Sequence, residues 1–224
     1  YKVGYPKMDP YFSGNNFDRK KIINSLGLDL EKPVVLFAPT YKPTCLYDLK
    51  EAIFKSTKDY NLIIKLHHYA WMGKYASHRQ HKIFEDQIEQ YPHAIIIPKE
   101  DYNILPLLFV ANTLVSEASG AITEFLATGK TGVIYNLNQE SLKHSDGEAL
   151  LGFDNREYLK ESFVHVDTPD ELHAGIKFAL NPSDEMKKAQ ERDKKKIFSK
   201  LDGHASIRVK QIVEQLISDN IKVQ

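Results

Sequence analysis

The chain has 224 residues, of which 42% are hydrophobic and 27% are charged, so it can bury a sizeable core in one large or two small domains. Thirty Lys and Arg residues balance thirty Asp and Glu residues, which argues against a nucleic-acid partner and against a disordered acidic chain. The single cysteine, Cys45, excludes an intrachain disulfide framework, and no apolar run approaches the roughly 20 residues that span a bilayer, so a reducing, cytoplasmic environment is expected.

The first half of the chain alternates helical patterns with short apolar runs. Residues 1–16 begin extended and turn polar after Gly4 and Pro6, which indicates the end of a preceding segment. Three continuous apolar runs are typical of strands in a parallel sheet that is covered on both faces: 33–38, 62–66 and 94–97. Helices are predicted before and between these runs, at 17–26, 47–57 and 76–90.

The second half continues the alternation. Strands are predicted at 114–115, 133–135 and 163–166. Helices are predicted at 104–111, between Gly120 and the stop signal Gly129, from Thr168 to Leu180, at 183–200 and at 204–217. Six short strands alternating with helices predict an α/β fold, in which right-handed crossovers join a doubly wound, parallel, six-stranded, Rossmann-like sheet.

The turn around Ser119 and Gly120 presents small residues where a helix opens. The first N–H groups of a helix lack partners within it and carry partial positive charge, so a phosphate can dock there. A serine can cap the helix or donate to a phosphate oxygen, and a glycine lets a ligand approach the backbone closely. Glu124 lies one helical turn deeper, within reach of a ribose diol. The alternative is an ordinary capped helix with a solvated glutamate.

The strand order common in doubly wound sheets is 3-2-1-4-5-6, and it would bring the turn around Ser119 close to the segment that follows Ala38. It places the strand ending at Ala38 beside the strand ending at Ser116, with the reversal of strand order between them. Ligands bind in the crevice at that reversal. The segments that follow these two strands are therefore predicted to flank one binding site, with His67 and His68 following the second strand onto the same rim.

Several motifs carry a family resemblance. They are Gly-x-Pro-x-x-Asp at 4–9, Ala-Pro-Thr-Tyr-Lys at 38–42, Ser-Glu-Ala-Ser-Gly at 116–120 and Asp-Gly-His-Ala-Ser-Ile-Arg at 202–208. Together they resemble the CDP-glycerol glycerophosphotransferases of teichoic acid and capsule synthesis, which have Ala-Pro-Thr-Trp-Arg and Ser-Asp-Tyr-Ser-Ser at the second and third positions. The chain departs from that family at 136–139, where Asn-Leu-Asn-Gln stands in place of an Asp and a Tyr.

The resemblance implies the C-terminal, donor-binding half of a GT-B-like transferase at the cell envelope. Residues 1–16 would be a linker from a missing N-terminal domain, 17–180 a Rossmann-like domain that binds the nucleotide donor, and 181–224 C-terminal helices that pack on it. The implied reaction moves glycerol phosphate, or another polyol phosphate, from a CDP-linked donor to a polymer or lipid-linked acceptor and releases CMP. It implies no metal ion or other cofactor, and a further catalytic base in the missing domain.

The resemblance also implies roles for individual residues. The residues that it implies bind the donor diphosphate are Thr40, Ser119 and Gly120, with Lys42 and Ser116 as further candidate contacts of the donor. Glu124 would hold the ribose. His67 would be catalytic, either as an imidazolium that holds a phosphate or as an acid–base group. Because adjacent residues of an extended chain point to opposite sides, only one of His67 and His68 is expected to face the crevice, and the resemblance selects His67.

Other interpretations stay open. GT-B nucleotide-sugar glycosyltransferases and UDP-sugar 2-epimerases share the Ser-Gly-x-x-x-Glu pattern and would favour UDP or GDP, whereas a non-catalytic module on the same scaffold would bind no nucleotide. A zinc site could use His78 and His81, but structural zinc sites usually need four ligands, commonly with Cys; with one Cys and no Asp-x-Asp, no metal is predicted.

The segment 187–200 is strongly basic and is predicted to be helical. The ordinary interpretation is a solvated helix face. The alternative is contact with an anionic membrane or a polyanionic acceptor, which would place the protein at the inner face of the cell membrane.

Overall fold

A computed structural model of the chain describes residues 1–14, 16–72, 79–138, 147–148 and 155–222. Within these ranges the strands are β1 (Val34–Phe37), β2 (Asn61–Ile64), β3 (Ala94–Ile96), β4 (Thr113–Ser116), β5 (Val133–Tyr135) and β6 (Val164–Val166). The helices before β4 are α1 (Asp9–Phe12), α2 (Arg19–Ser25), α3 (Leu46–Leu49), α4 (Ala52–Ser56), α5 (Tyr69–Met72), α6 (Lys82–Ile88) and α7 (Leu105–Val110). Those after β4 are α8 (Gly120–Ala127), α9 (Leu172–Leu180), α10 (Asp184–Ile197) and α11 (Ala205–Lys222).

The six strands form one parallel sheet in the order β3-β2-β1-β4-β5-β6. All four residues of β1 are fully buried, and they alternate between two cores: Val34 and Leu36 contribute to one, and Val35 and Phe37 to the other. Helices therefore cover both faces, as continuous apolar runs predict. The predicted fold class and strand order are confirmed.

Several predicted boundaries differ from the structure. The helix predicted at 47–57 is two short helices, α3 and α4, and the short helix α5 was not predicted. Of the helix predicted at 76–90, the structure shows 82–88, and 76–78 lie outside the described residues. Helix α11 continues past its predicted end at Ile217 because no Gly or Pro interrupts it. No described helix is long and apolar enough to cross a membrane.

Helix α7 ends on Lys130, a partly buried lysine from another part of the chain. The ammonium of Lys130 donates to three carbonyl oxygens at that end, those of Leu108, Phe109 and Ala111, at 3.1, 2.8 and 2.8 Å. Burial lowers the pKa of Lys130 to about 8. The last carbonyls of a helix have no partner within it, so this contact joins α7 to the turn between α8 and β5.

Residues 3–9 and 202–208, near the two ends of the chain, contact each other, and we call this contact the clasp. The carboxylate of Asp9 accepts hydrogen bonds from the backbone N–H groups of Ala205 and Ser206 at 3.0 and 2.7 Å, so it caps α11. Arg208 donates to the carbonyl oxygen of Val3 at 2.8 Å. Two motifs about 200 residues apart in sequence thus form one structural unit.

The clasp requires a glycine at position 4. Gly4 has φ +94°, and a Cβ there would lie 2.7 Å from the carbonyl oxygen of Lys200. Arg208 also binds both carboxylate oxygens of Asp202, at 2.7 and 2.9 Å, and these bonds lower the pKa of Asp202 to about 2. Within the predicted linker, Met8 is fully buried. This segment is held against the domain, and its role as a linker from another domain stays a prediction.

Candidate functional site

A crevice of about 530 Å³ opens beyond the carboxyl ends of β1, β2 and β4. This size is typical of small-molecule sites, and the position is where the strand order reverses between β1 and β4. The crevice is lined by the segments 38–42, 65–68 and 119–121, together with Lys7, Tyr102, Ile104 and Glu124. Thr40 and Ser119 therefore line one site, as the strand order predicted.

The start of α8 forms one wall of the crevice. Ser119 precedes this helix in extended conformation and makes no side-chain cap, so the first N–H groups of α8 are not bonded by its hydroxyl. Its Oγ instead lies 2.9 Å from that of Ser116. A Cβ at Gly120 would meet no protein atom within 4 Å, and its φ is not in the left-handed region. The fold therefore does not require glycine at position 120, and the space beside the helix terminus is open.

Ser116 lies beneath the crevice and is not among its lining residues. It is fully buried, and its hydroxyl donates to the carbonyl oxygen of Ala38 at 2.8 Å. This bond joins the ends of β4 and β1. The structure thus places Ser116 where it supports Ser119, and not on the crevice surface.

Glu117 joins the two walls of the crevice from below. It is 2% exposed, and one carboxylate oxygen accepts the backbone N–H of Thr40. The other oxygen accepts the thiol of Cys45 at 2.7 Å and its backbone N–H at 3.4 Å. The hydroxyl of Thr40 donates to the carbonyl oxygen of Pro43. Thr40 lines the crevice as predicted, but both of its hydrogen-bond donors are engaged within the protein.

The thiol of Cys45 is held in its neutral form. Burial, together with the charge of Glu117, raises its pKa well above the ordinary value. A neutral thiol retains the proton that it donates to the carboxylate. Cys45 therefore belongs to the packing beneath the crevice.

His67 and His68 both line the crevice, and their ring centroids are 4.5 Å apart. The expectation that only one of them faces it is wrong. Strand β2 ends at Ile64, and the chain turns before α5, so the alternation of an extended strand does not reach these residues. The position of His67 at the site is as predicted, while its chemical role stays a prediction.

The hydrogen bonding of His67 determines which ring nitrogen carries the proton. The backbone N–H of Tyr69 donates to His67 Nδ1 at 3.3 Å, so a neutral ring is protonated at Nε2. Burial lowers the pKa of His67, and the nearby His68 and Lys65 lower it further. The ring is therefore neutral at pH 7 and still has an N–H to donate.

Lys7 and Lys65 line the crevice and were not predicted as site residues. Lys65 is 9% exposed, and burial lowers its pKa. A single lysine after the apolar run 62–64 is a signal that could have indicated it. Together with Lys42, these lysines give the crevice three cationic side chains. Such a lining favours an anionic ligand.

Glu124 is buried, not solvated. It is 6% exposed, and its Oε1 accepts the Lys7 ammonium at 2.5 Å and the Tyr5 hydroxyl at 3.2 Å. No sequence pattern connects Lys7 with Glu124, because 117 residues separate them. The solvated-face alternative is wrong for this residue, and contact with a ribose stays a prediction.

Among the described residues, no group of three or more His, Cys, Asp and Glu side chains could hold a metal ion. His81 stacks on Trp71 with ring centroids 4.5 Å apart, and its Nδ1 lies 3.2 Å from the carbonyl oxygen of Ala70. His78, which was considered with His81 for a zinc site, lies outside the described residues.

Residues 1–215 match the sequence model of a family described as CDP-Glycerol:Poly(glycerophosphate) glycerophosphotransferase. No curated protein matches the chain in sequence.

Several solved structures share the fold. One is the wall teichoic acid polymerase TagF, as a variant soaked with CDPG: it is 18% identical, with a TM-score of 0.63, over 99% of this chain and 52% of TagF. A glycosyltransferase from Rickettsia africae is 16% identical, with a TM-score of 0.59, over 94% of this chain and 54% of its own. UDP-GlcNAc 2-epimerase from Neisseria meningitidis, bound to UDP-GlcNAc, is 13% identical, with a TM-score of 0.58, over 95% of this chain and 54% of the epimerase. The chain spans about half the length of these proteins.

The contacts of Glu117 predict the behaviour of Glu117→Gln. The amide cannot accept from both Thr40 and Cys45, so a buried donor loses its acceptor and the free energy of unfolding should fall by about 1–3 kcal/mol. Removing the charge also lowers the pKa of Cys45, so the thiol should react with iodoacetamide faster, and at lower pH, than in the parent. Cys45 is the only cysteine, so labelling reports on this site alone.

Glu51→Gln is the matched control, because Glu51 is exposed and pairs with Lys55 on the surface. Its unfolding free energy should stay within about 0.5 kcal/mol of the parent. Unchanged stability and unchanged labelling in Glu117→Gln would show that this carboxylate does not hold the two loops together.

Proposed function

The chain belongs to the CDP-glycerol:poly(glycerophosphate) glycerophosphotransferase family, and on that premise we propose that its crevice binds CDP-glycerol or a related CDP-linked polyol phosphate. The polyol phosphate would be transferred to a polymer or lipid-linked acceptor. The observation that supports this most directly is the convergence of the uncapped start of α8, three lysines and His67 on one crevice at the reversal of strand order.

The proposed reaction is a phosphoryl transfer. An acceptor hydroxyl attacks the phosphorus that carries the polyol, the bond from that phosphorus to the oxygen of CMP breaks, and CMP leaves with the electron pair. The hydroxyl proton passes to a base that the proposal places outside this chain. The proposal includes no metal ion or cofactor; Lys42, Lys65 and the first N–H groups of α8 supply positive charge along the crevice.

His67 has a defined part in this proposal. Its neutral ring carries a proton on Nε2, which can be donated to a phosphate oxygen as negative charge develops during transfer. Of the two roles considered from the sequence, the proposal takes that of a neutral donor. His67 is thus the proposed catalytic residue of the chain.

The chain spans about half the length of the solved proteins that it resembles. We therefore propose that the acceptor site and the base lie in another part of the protein, and that residues 1–16 lead in from it. This assignment also implies weak donor binding and little turnover by residues 1–224 alone.

An exposed basic face on α10 supports a contact with an anionic surface, either a membrane or the growing polymer. Lys188, Arg192 and Lys195 are exposed at positions i, i+4 and i+7, so they lie on one side of the helix. Arg192 is paired with Glu161. Anionic lipid attracts such residues by about 1 kcal/mol each. We propose this contact as the means by which the protein works at the inner face of the cell membrane.

A panel of nucleotides tests the proposed donor. Isothermal titration of the full-length protein should give saturable binding of CDP-glycerol and CDP, with UDP and GDP at least tenfold weaker. Tighter binding of UDP or GDP would favour a nucleotide-sugar enzyme on the same fold. Binding of none of the four would point to a non-catalytic module.

Gly120→Ala separates a ligand site from an ordinary helix start. Alanine favours helix, and its Cβ would meet no protein atom within 4 Å, so the unfolding free energy should stay level or rise by up to about 1 kcal/mol. The methyl group would occupy the ligand's approach to the helix terminus, so affinity for CDP-glycerol should fall by roughly tenfold. Unchanged affinity would remove the start of α8 from the donor site.

His67→Ala tests the catalytic assignment in the full-length protein. Loss of the Nε2 donor should lower kcat by about 100-fold with an unchanged melting temperature. His68→Ala gives the comparison, because the two rings stack and both line the crevice. We expect a smaller loss from His68→Ala. A larger loss from His68→Ala would assign the catalytic role to His68, and parent-level kcat in both variants would make the rim histidines structural.

A further inference from the structure

Lys7 reaches the crevice from the segment that forms the clasp, and its ammonium lies 2.5 Å from Glu124 Oε1. The two side chains differ in their surroundings: that of Lys7 is 50% exposed, whereas that of Glu124 is 8% exposed. The carboxylate is thus buried in the crevice wall, and the ammonium covers it from the solvent side.

The position of Lys7 is fixed by its neighbours in the chain. The Tyr5 ring stacks on Phe198 with centroids 5.7 Å apart, and Met8 is fully buried. Asp9 caps α11 through the clasp. A lysine held by anchored residues on both sides loses less side-chain freedom on pairing than a lysine on a mobile segment. The fold therefore holds Lys7 in contact with Glu124.

A buried carboxylate in this wall would repel an anionic ligand. At a separation of about 6 Å near a protein surface, repulsion between two unit charges changes a binding constant by about tenfold or more. Glu124 follows the start of α8 by one helical turn, on the wall where the diphosphate is proposed to bind. Without a cation beside it, Glu124 would oppose that ligand.

We propose that Lys7 neutralises Glu124, so that a nucleoside diphosphate can bind beside a carboxylate that recognises its ribose. The proposal rests on the proposed function, namely that the crevice binds a CDP-linked donor. Lys7 and Tyr5 both contact Oε1, and within the described part of the chain no residue is bonded to Oε2, so Oε2 is the oxygen proposed to accept a ribose hydroxyl. The leading segment is then part of the donor site, and any displacement of it changes donor affinity.

Four variants of the full-length protein test this: Lys7→Met, Glu124→Gln, their combination, and Lys20→Met as a control at an exposed lysine outside the crevice. The ligands are CDP, which carries a ribose, and inorganic pyrophosphate, which does not. Lys7→Met should weaken both by about tenfold, because Glu124 is left uncompensated. Glu124→Gln leaves the Lys7 charge uncompensated, so it should strengthen pyrophosphate binding by about tenfold. Relative to pyrophosphate, CDP should lose about tenfold, through the lost charge-assisted ribose bond.

The double variant decides the mechanism. In the double variant the pair carries no net charge, as in the parent, so the affinity for pyrophosphate should return to within about threefold of the parent value. A double variant that binds pyrophosphate as weakly as Lys7→Met does would overturn the inference and make Lys7 a direct phosphate contact. Parent-like affinity in Lys7→Met would also overturn it, as would a loss of similar size in Lys20→Met.

The binding of CDP and pyrophosphate by the parent protein distinguishes failure of this inference from failure of the proposed function. If the parent binds no CDP, the donor assignment itself fails. If it binds CDP but not pyrophosphate, the inference fails, because the crevice does not hold a diphosphate by charge. Melting temperatures of all variants, compared with the parent, show whether a weakened affinity reflects local charge or general loss of structure.

Discussion

The structure depends on the neighbourhood of β1 and β4, two parallel strands whose connections leave in opposite directions. Because the chain departs from β1 toward one edge of the sheet and from β4 toward the other, no crossover in the described ranges covers the space beyond their carboxyl ends. Loops from both strands meet there, and the start of α8 points into the same space. The crevice is thus a consequence of strand order, before any particular side chain is considered.

The buried carboxylates in and beneath this crevice are each bonded to neighbouring donors. Glu117 has backbone N–H groups and a thiol as partners, and Glu124 has Lys7 and Tyr5. Buried carboxylates without such partners would be costly, and each of these ties together chain segments that are far apart in sequence. The same interactions that satisfy the carboxylates therefore hold the walls of the site in position.

The clasp connects this site to the ends of the chain. Asp9 and Arg208 anchor the leading segment at one end, and Lys7 enters the crevice from the same segment. A segment so anchored at the edge of the crevice holds Lys7 beside Glu124. The motifs near the two ends of the chain contact each other in the clasp. The first of them also contains Lys7, which lines the crevice.

The sequence by itself determined the fold class and the six strands, because continuous apolar runs alternating with helices leave few arrangements with both sheet faces buried. The strand order was assumed as the common one for such sheets, and the structure has that order. The sequence also identified the segments 38–42 and 116–120 and the histidines at 67 and 68, since strand ends can be located along the chain. Only the tertiary structure showed that His67 and His68 share the crevice, since where β2 stops depends on packing, and not on hydrophobic pattern. It alone brought Lys7 to Glu124 and Glu117 to Cys45, because contacts between residues 117 and 72 positions apart leave no periodic signal and exist only once the sheet has placed their segments side by side.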